Sequence, residues 1–139
     1  MKFKKFSTLI LTTIMMLLFT VVGYAATSAN ITVSPKEGST VKPGDTIEVT
    51  SILMEDSVQC KSKGFTSMSI YLYDGETNAL IDSKSNFITD TRLGNNPCYS
   101  EIIVPSNCTS RSIIVKMVGG EKDGGSFTKS FKFFRRINY

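Results

Sequence analysis

The sequence predicts an all-β protein, a single antiparallel β-sandwich of about seven strands behind a secretory signal. Three observations carry that prediction. Apolar residues after the first 25 positions alternate with a period of two and show no helical spacing. β-Branched and aromatic residues dominate the apolar runs, and Gly, Pro, Asn, Asp and Ser interrupt them about every 8 to 12 residues.

The chain opens on three lysines within Met1–Lys5, runs mostly apolar from Leu9 to Val22, and offers Gly23-Tyr24-Ala25 as a peptidase site. That order is a secretory signal over residues 1–25, which leaves residues 26–139 as one domain in a compartment where disulfides persist. An uncleaved anchor is the alternative, although Thr8, Thr12, Thr13 and Thr20 dilute the apolar run. The expected location is therefore secreted, whether extracellular, periplasmic or at the cell surface. The membrane is met only through the signal before cleavage.

The elements follow in order. Asn30–Val33 is a short strand closed by Ser34-Pro35, and Lys42-Pro43-Gly44-Asp45 is a tight turn. Thr46–Met54 alternates, with Ile47, Val49 and Leu53 on one face and Glu48 and Thr50 on the other. Ser67–Tyr73 places Met68, Ile70 and Leu72 together, opposite Ser69, Tyr71 and Tyr73. Asp74–Asn78 signals a hairpin, and Ala79–Ile88 returns as one longer or two shorter strands. Glu101–Val104 is short and ends at Pro105, and Arg111–Val118 aligns Ile113, Val115 and Met117. Gly119–Gly125 is expected to be a flexible connection. Phe127–Ile137 closes the domain, with Phe127, Phe131 and Phe133 sharing a face that Lys129 interrupts, through a bulge or by snorkelling.

The run Val33-Ser34-Pro35-Lys36-Glu37-Gly38-Ser39-Thr40-Val41-Lys42-Pro43-Gly44-Asp45-Thr46-Ile47-Glu48-Val49 resembles the opening of bacterial immunoglobulin-like domains. These often begin with a strand ending near a proline, a Gly-Ser turn, and Pro-Gly-Asp leading into the second strand. The resemblance implies an Ig-like sandwich and is silent on function. The chain departs from antibody-type domains in having no tryptophan and no mid-strand cysteines for an inter-sheet bridge.

Cys60, Cys98 and Cys108 allow three pairings, each leaving one thiol over. Cys98 and Cys108 bracket an extended strand, which separates them by roughly 20 to 30 Å. A disulfide needs Cα atoms within about 7 Å. Cys60 follows the second strand and Cys98 precedes the fifth, so both fall at one end of the sandwich. A Cys60–Cys98 disulfide is expected, with Cys108 a free thiol or the site of an intermolecular bridge.

Charge and chemistry then bound the function. Sixteen basic residues oppose twelve acidic ones, but Lys2, Lys4 and Lys5 leave with the signal, so the domain is nearly neutral and nucleic acid is not an expected partner. There is no histidine, which excludes Ser/His/Asp and Cys/His nucleophilic systems and imidazole metal sites. The carboxylate pairs Glu55/Asp56, Asp74/Glu76 and Glu121/Asp123 all lie in turns, where acidic residues cap and solvate. No enzyme, metal or cofactor is expected.

Two surface features remain. Tyr71 and Tyr73 stand on one strand face, where neighbouring tyrosines suit a protein contact. Lys129, Lys132, Arg135 and Arg136 gather in the last strand, where they form a docking patch or merely blunt an edge. The expected function is a non-catalytic binding or adhesion module that recognises an extracellular or cell-envelope protein. The alternatives are a small assembly protein oligomerising through Cys108 or edge strands, and a secreted inhibitor or immunity-type protein presenting the Gly119–Gly125 loop.

Overall fold

A computed structural model of the chain describes residues 27–85, 88 and 94–136. The expected signal segment, residues 1–25, lies outside them. The described residues form nine strands and no helix, in two sheets. In chain order these are β1 (Thr27–Ser34), β2 (Thr40–Val41), β3 (Thr46–Glu55), β4 (Val58–Gln59), β5 (Phe65–Asp74), β6 (Leu80–Lys84), β7 (Cys98–Ile103), β8 (Ser112–Glu121) and β9 (Ser126–Arg135). The seven strands of five residues or more are those the alternation predicts, and the all-β sandwich is what the structure shows. The two-residue strands β2 and β4 carry too little pattern to be read from sequence.

The first sheet has β3 at its centre, with β1 on one side and both β4 and β7 on the other. The second runs β2-β9-β8-β5-β6 and is antiparallel except where β2 lies parallel to β9. The chain thus leaves the first sheet after β1, docks briefly on the second as β2, and returns as β3. Three backbone hydrogen bonds hold that excursion: Gly38 N to Lys132 O at 2.8 Å, Phe134 N to Ser39 O at 3.0 Å, and Arg136 N to Val41 O at 3.1 Å.

Alternation decides what is buried. Ile47, Val49 and Leu53 of β3 face Met68, Ile70 and Leu72 of β5, Ile113, Val115 and Met117 of β8, and Phe131 and Phe133 of β9. Burying each such side chain is worth about 1.5–3 kcal/mol. Phe65 joins the core although its parity opposes Met68, because a bulge between Phe65 and Ser67 shifts the register.

The glycines corrected one expectation. Gly119 and Gly120 belong to β8, opposite Phe127 and Ser126, so the connection to β9 is a tight turn and no long loop. A Cβ on Gly119 would strike the Met68 sulfur and come within 3.1 Å of the Phe65 ring. The glycine is there to let those two side chains pack. The expected return strand Ala79–Ile88 is observed as Leu80–Lys84; residues 86 and 87 lie outside the described set.

At one end of the first sheet, Asn96 joins β4 to β7. Its side-chain amide accepts from Leu53 N at 2.8 Å and donates to Leu53 O at 3.0 Å and to Cys60 O at 2.7 Å. One side chain thereby supplies the ladder bonds that a missing strand residue would make beside β3.

Candidate functional site

β5 and β8 pair in a register that sets Tyr71 opposite Lys116 and Tyr73 opposite Ile114. The next ladder sets Lys116 opposite Ser130 and Ile114 opposite Lys132. Tyr71, Tyr73, Lys116 and Lys132 therefore share the outer face of the five-stranded sheet. The two tyrosine rings stack, with centroids 6.1 Å apart and planes 27° apart. The Lys132 ammonium lies 5.7 Å from the centre of the Phe134 ring, a cation–π contact on the same face. A shallow depression of about 380 Å³ opens there, lined by Tyr73, Asn78, Ile114, Lys116 and Ser130.

No described strand residue on that face is acidic; Glu37 borders it, its carboxylate accepting the Lys132 amide at 3.4 Å. The face is aromatic and positive. Tyr71 and Tyr73 were expected to stand together. That Lys132 joins them, and that Lys116 completes the group, depends on strand neighbours and registers that no local pattern encodes.

The C-terminal basic residues do not share one face. Lys129 is on the core side of β9 by register, opposite Met117, and reaches out so that its ammonium lies 5.3 Å from the Phe131 ring centre. That is the snorkelling solution. Arg135 is half-buried, with Nη1 donating to Ser110 O at 3.5 Å, and Arg136 is exposed beyond the strand.

The opposite face of the sandwich differs in sign. On the outer side of the first sheet, Glu48 of β3 pairs directly with Glu101 of β7, and Thr50 pairs with Tyr99. Tyr99 is 71% exposed and Ile103 52%. A second shallow depression of about 320 Å³ lies between Glu48, Thr50, Tyr99 and Glu101. Lys84 touches its margin, donating to the Glu101 carbonyl at 2.8 Å.

The turn carboxylates are occupied by local structure. Asp74 accepts from Glu76 N at 2.8 Å, Thr77 N at 3.1 Å and the Ser110 hydroxyl at 2.7 Å. These bonds, that of Ser110 foremost, hold its carboxyl below the usual aspartate range. Glu121 and Asp123 flank the Lys63 ammonium at 3.0 and 3.7 Å, and the Glu121 contact raises the lysine pKa. Among the described residues, no group of three or more His, Cys, Asp or Glu is placed to hold a metal ion.

All three cysteines are free and buried, so the expected Cys60–Cys98 bridge is not formed here. The Cys60 thiol instead contacts the Glu55 carboxylate at 3.4 Å and the Ser62 hydroxyl at 3.6 Å. Cys98 lies in the core opposite Ser51, where burial pushes its thiol pKa up. Cys108 is 5% exposed, so a bridge to another chain there would require the Pro105–Thr109 turn to open.

No family model and no curated sequence matches the chain. Among solved structures it is similar to CopC from Methylosinus trichosporium OB3b, at 15% identity and a TM-score of 0.53 over 81% of this chain and 100% of that one. At that identity the likeness concerns the fold alone.

Proposed function

We propose that the protein is an exported, non-catalytic Ig-like binding module whose contact surface is the Tyr71/Tyr73/Lys116/Lys132 face. The partner in this reading is another extracellular or cell-envelope protein that presents an acidic patch. One observation carries it: a stacked tyrosine pair set beside two lysines on a sheet face to which no described strand residue contributes a carboxylate. Tyrosines give large contact area at low entropic cost, and lysines steer an acidic partner.

Export rests on the signal-like N-terminus and the absence of catalytic chemistry on the lack of histidine together with turn carboxylates already engaged by their neighbours. In an oxidising compartment Cys60 and Cys98 would close the expected disulfide. The test compares wild type with Tyr71→Ala/Tyr73→Ala in pull-downs from the native cell surface. Loss of a specific partner by about tenfold or more is expected. Equal recovery of every partner by both proteins would refute the assignment of the face.

A further inference from the structure

The two outer faces of this sandwich are complementary to one another. One carries Tyr71, Tyr73, Lys116 and Lys132, and the other carries Tyr99, Glu48 and Glu101. Each combines aromatic surface, half-buried at Tyr71 and Tyr73 and exposed at Tyr99, with a like-charged pair, and each holds a shallow depression beside those charges. Glu48 and Glu101 are direct cross-strand partners, a placement that costs stability when nothing neutralises it. Lys116 and Lys132 are diagonal neighbours across β8 and β9, about 7–8 Å apart at the backbone. Flexible lysine stems can bring both ammonium groups onto the glutamate pair.

We infer that the aromatic, basic face of one molecule docks on the Tyr99/Glu48/Glu101 face of a second copy. The inference rests on the proposed binding face and names an occupant for it. Because the two surfaces lie on opposite sides of one sandwich, the contact is heterologous and does not close on itself. It propagates as a stack, sheet on sheet, with about 10 Å between facing sheets.

The size of the faces sets the strength. The smaller face is three strands wide, β1, β3 and the β4/β7 line, which at about 4.8 Å spacing and about five residues each give roughly 250 Å² per partner. That falls below the roughly 800 Å² per partner of a standard stable interface. The stack is therefore weak, concentration-dependent and sensitive to salt.

Sedimentation velocity at concentrations up to roughly 100 μM and above tests this, at low and at high ionic strength. The wild-type protein is expected to sediment faster as concentration rises, and less so in high salt. Lys116→Glu/Lys132→Glu and Glu48→Lys/Glu101→Lys are each expected to weaken self-association by at least about tenfold. The first variant has two acidic faces and the second two basic ones, so an equimolar mixture is expected to associate again. Circular dichroism and thermal melting confirm that each variant is folded, and the mixing arm reads the interface even if one of them is less stable.

A wild type that stays monomeric throughout overturns the inference. So do single-face variants that associate as wild type does, or a mixture that fails to recover. These outcomes separate from those of the binding function. Partner loss in Tyr71→Ala/Tyr73→Ala with a monomeric wild type keeps the proposed face and removes the second copy. Self-association without any foreign partner keeps the face and its second copy and removes the foreign partner.

Discussion

Asp74 shows how a carboxylate is spent on holding a turn. Its two carboxylate oxygens take the Glu76 and Thr77 amides and the Ser110 hydroxyl. Its pKa is depressed in the folded chain and ordinary in the unfolded one, so across that window the unfolded chain binds more protons. The stabilisation is complete above the unfolded pKa and is lost as pH falls through the folded one. Urea midpoints measured from about pH 5 downward should drop in wild type, and Asp74→Asn should flatten that acid limb. Gly119 makes a second residue-scale case. Gly119→Ala forces a methyl between Met68 and Phe65, and a loss of about 1–3 kcal/mol is expected in equilibrium unfolding. From the sequence both positions looked like loop chemistry. Their actual partners, Ser110 for one and Met68 and Phe65 for the other, are dozens of residues away, and turn composition carries no such information.

At the scale of elements, β4 and β7 act as one composite strand along β3, joined by the Asn96 amide. Asn96→Ala would strip partners from the Leu53 amide and carbonyl and from the Cys60 carbonyl. The expected cost is about 2–4 kcal/mol, seen as a lower urea midpoint with an unchanged m-value. The same arrangement sets Cys60 beside Leu53 and Cys98 beside Ser51, two residues apart along one side of β3. Their Cα separation is therefore roughly 7 Å, at the upper edge of disulfide geometry. A bridge also requires the Cys60 side chain to turn away from Glu55. Oxidation with a glutathione redox pair should leave Cys108 as the one alkylatable thiol in the denatured chain. Three alkylatable thiols after that treatment would show that the two sites stay apart. Strand counting puts Cys60 and Cys98 at one end of the sandwich, but a bridge depends also on side-chain rotamers that strand counting does not carry, and both thiols are free here. The Asn96 splice was not legible, because a side chain standing in for a backbone ladder leaves no periodic trace.

For the whole molecule, the long strands were legible because one buried face imposes strict alternation on each of them. Tyr71 and Tyr73 were legible as a pair for the same reason. The ordering of strands within a sheet was not, and the surface chemistry follows from that ordering. Only the β5–β8–β9 succession places Lys116 and Lys132 beside the tyrosines, and only the β3–β7 pairing sets Glu48 against Glu101. A chain that is nearly neutral beyond residue 25 thus carries two faces of opposite character, which net charge conceals.

The brief excursion of β2 onto β9 also determines how the domain responds to tension. Pulling Thr27 and Arg136 apart draws β2 toward its start and β9 toward its end. Parallel strands loaded in that way slide along each other. The bonds from Gly38 to Lys132, from Phe134 to Ser39 and from Arg136 to Val41 then bear the force together, where a hairpin would unzip one bond at a time. Load applied at Thr27 and Arg136 therefore reaches this shear clamp once β1 has peeled from β3, and the clamp shields β8, β5 and β6 behind it.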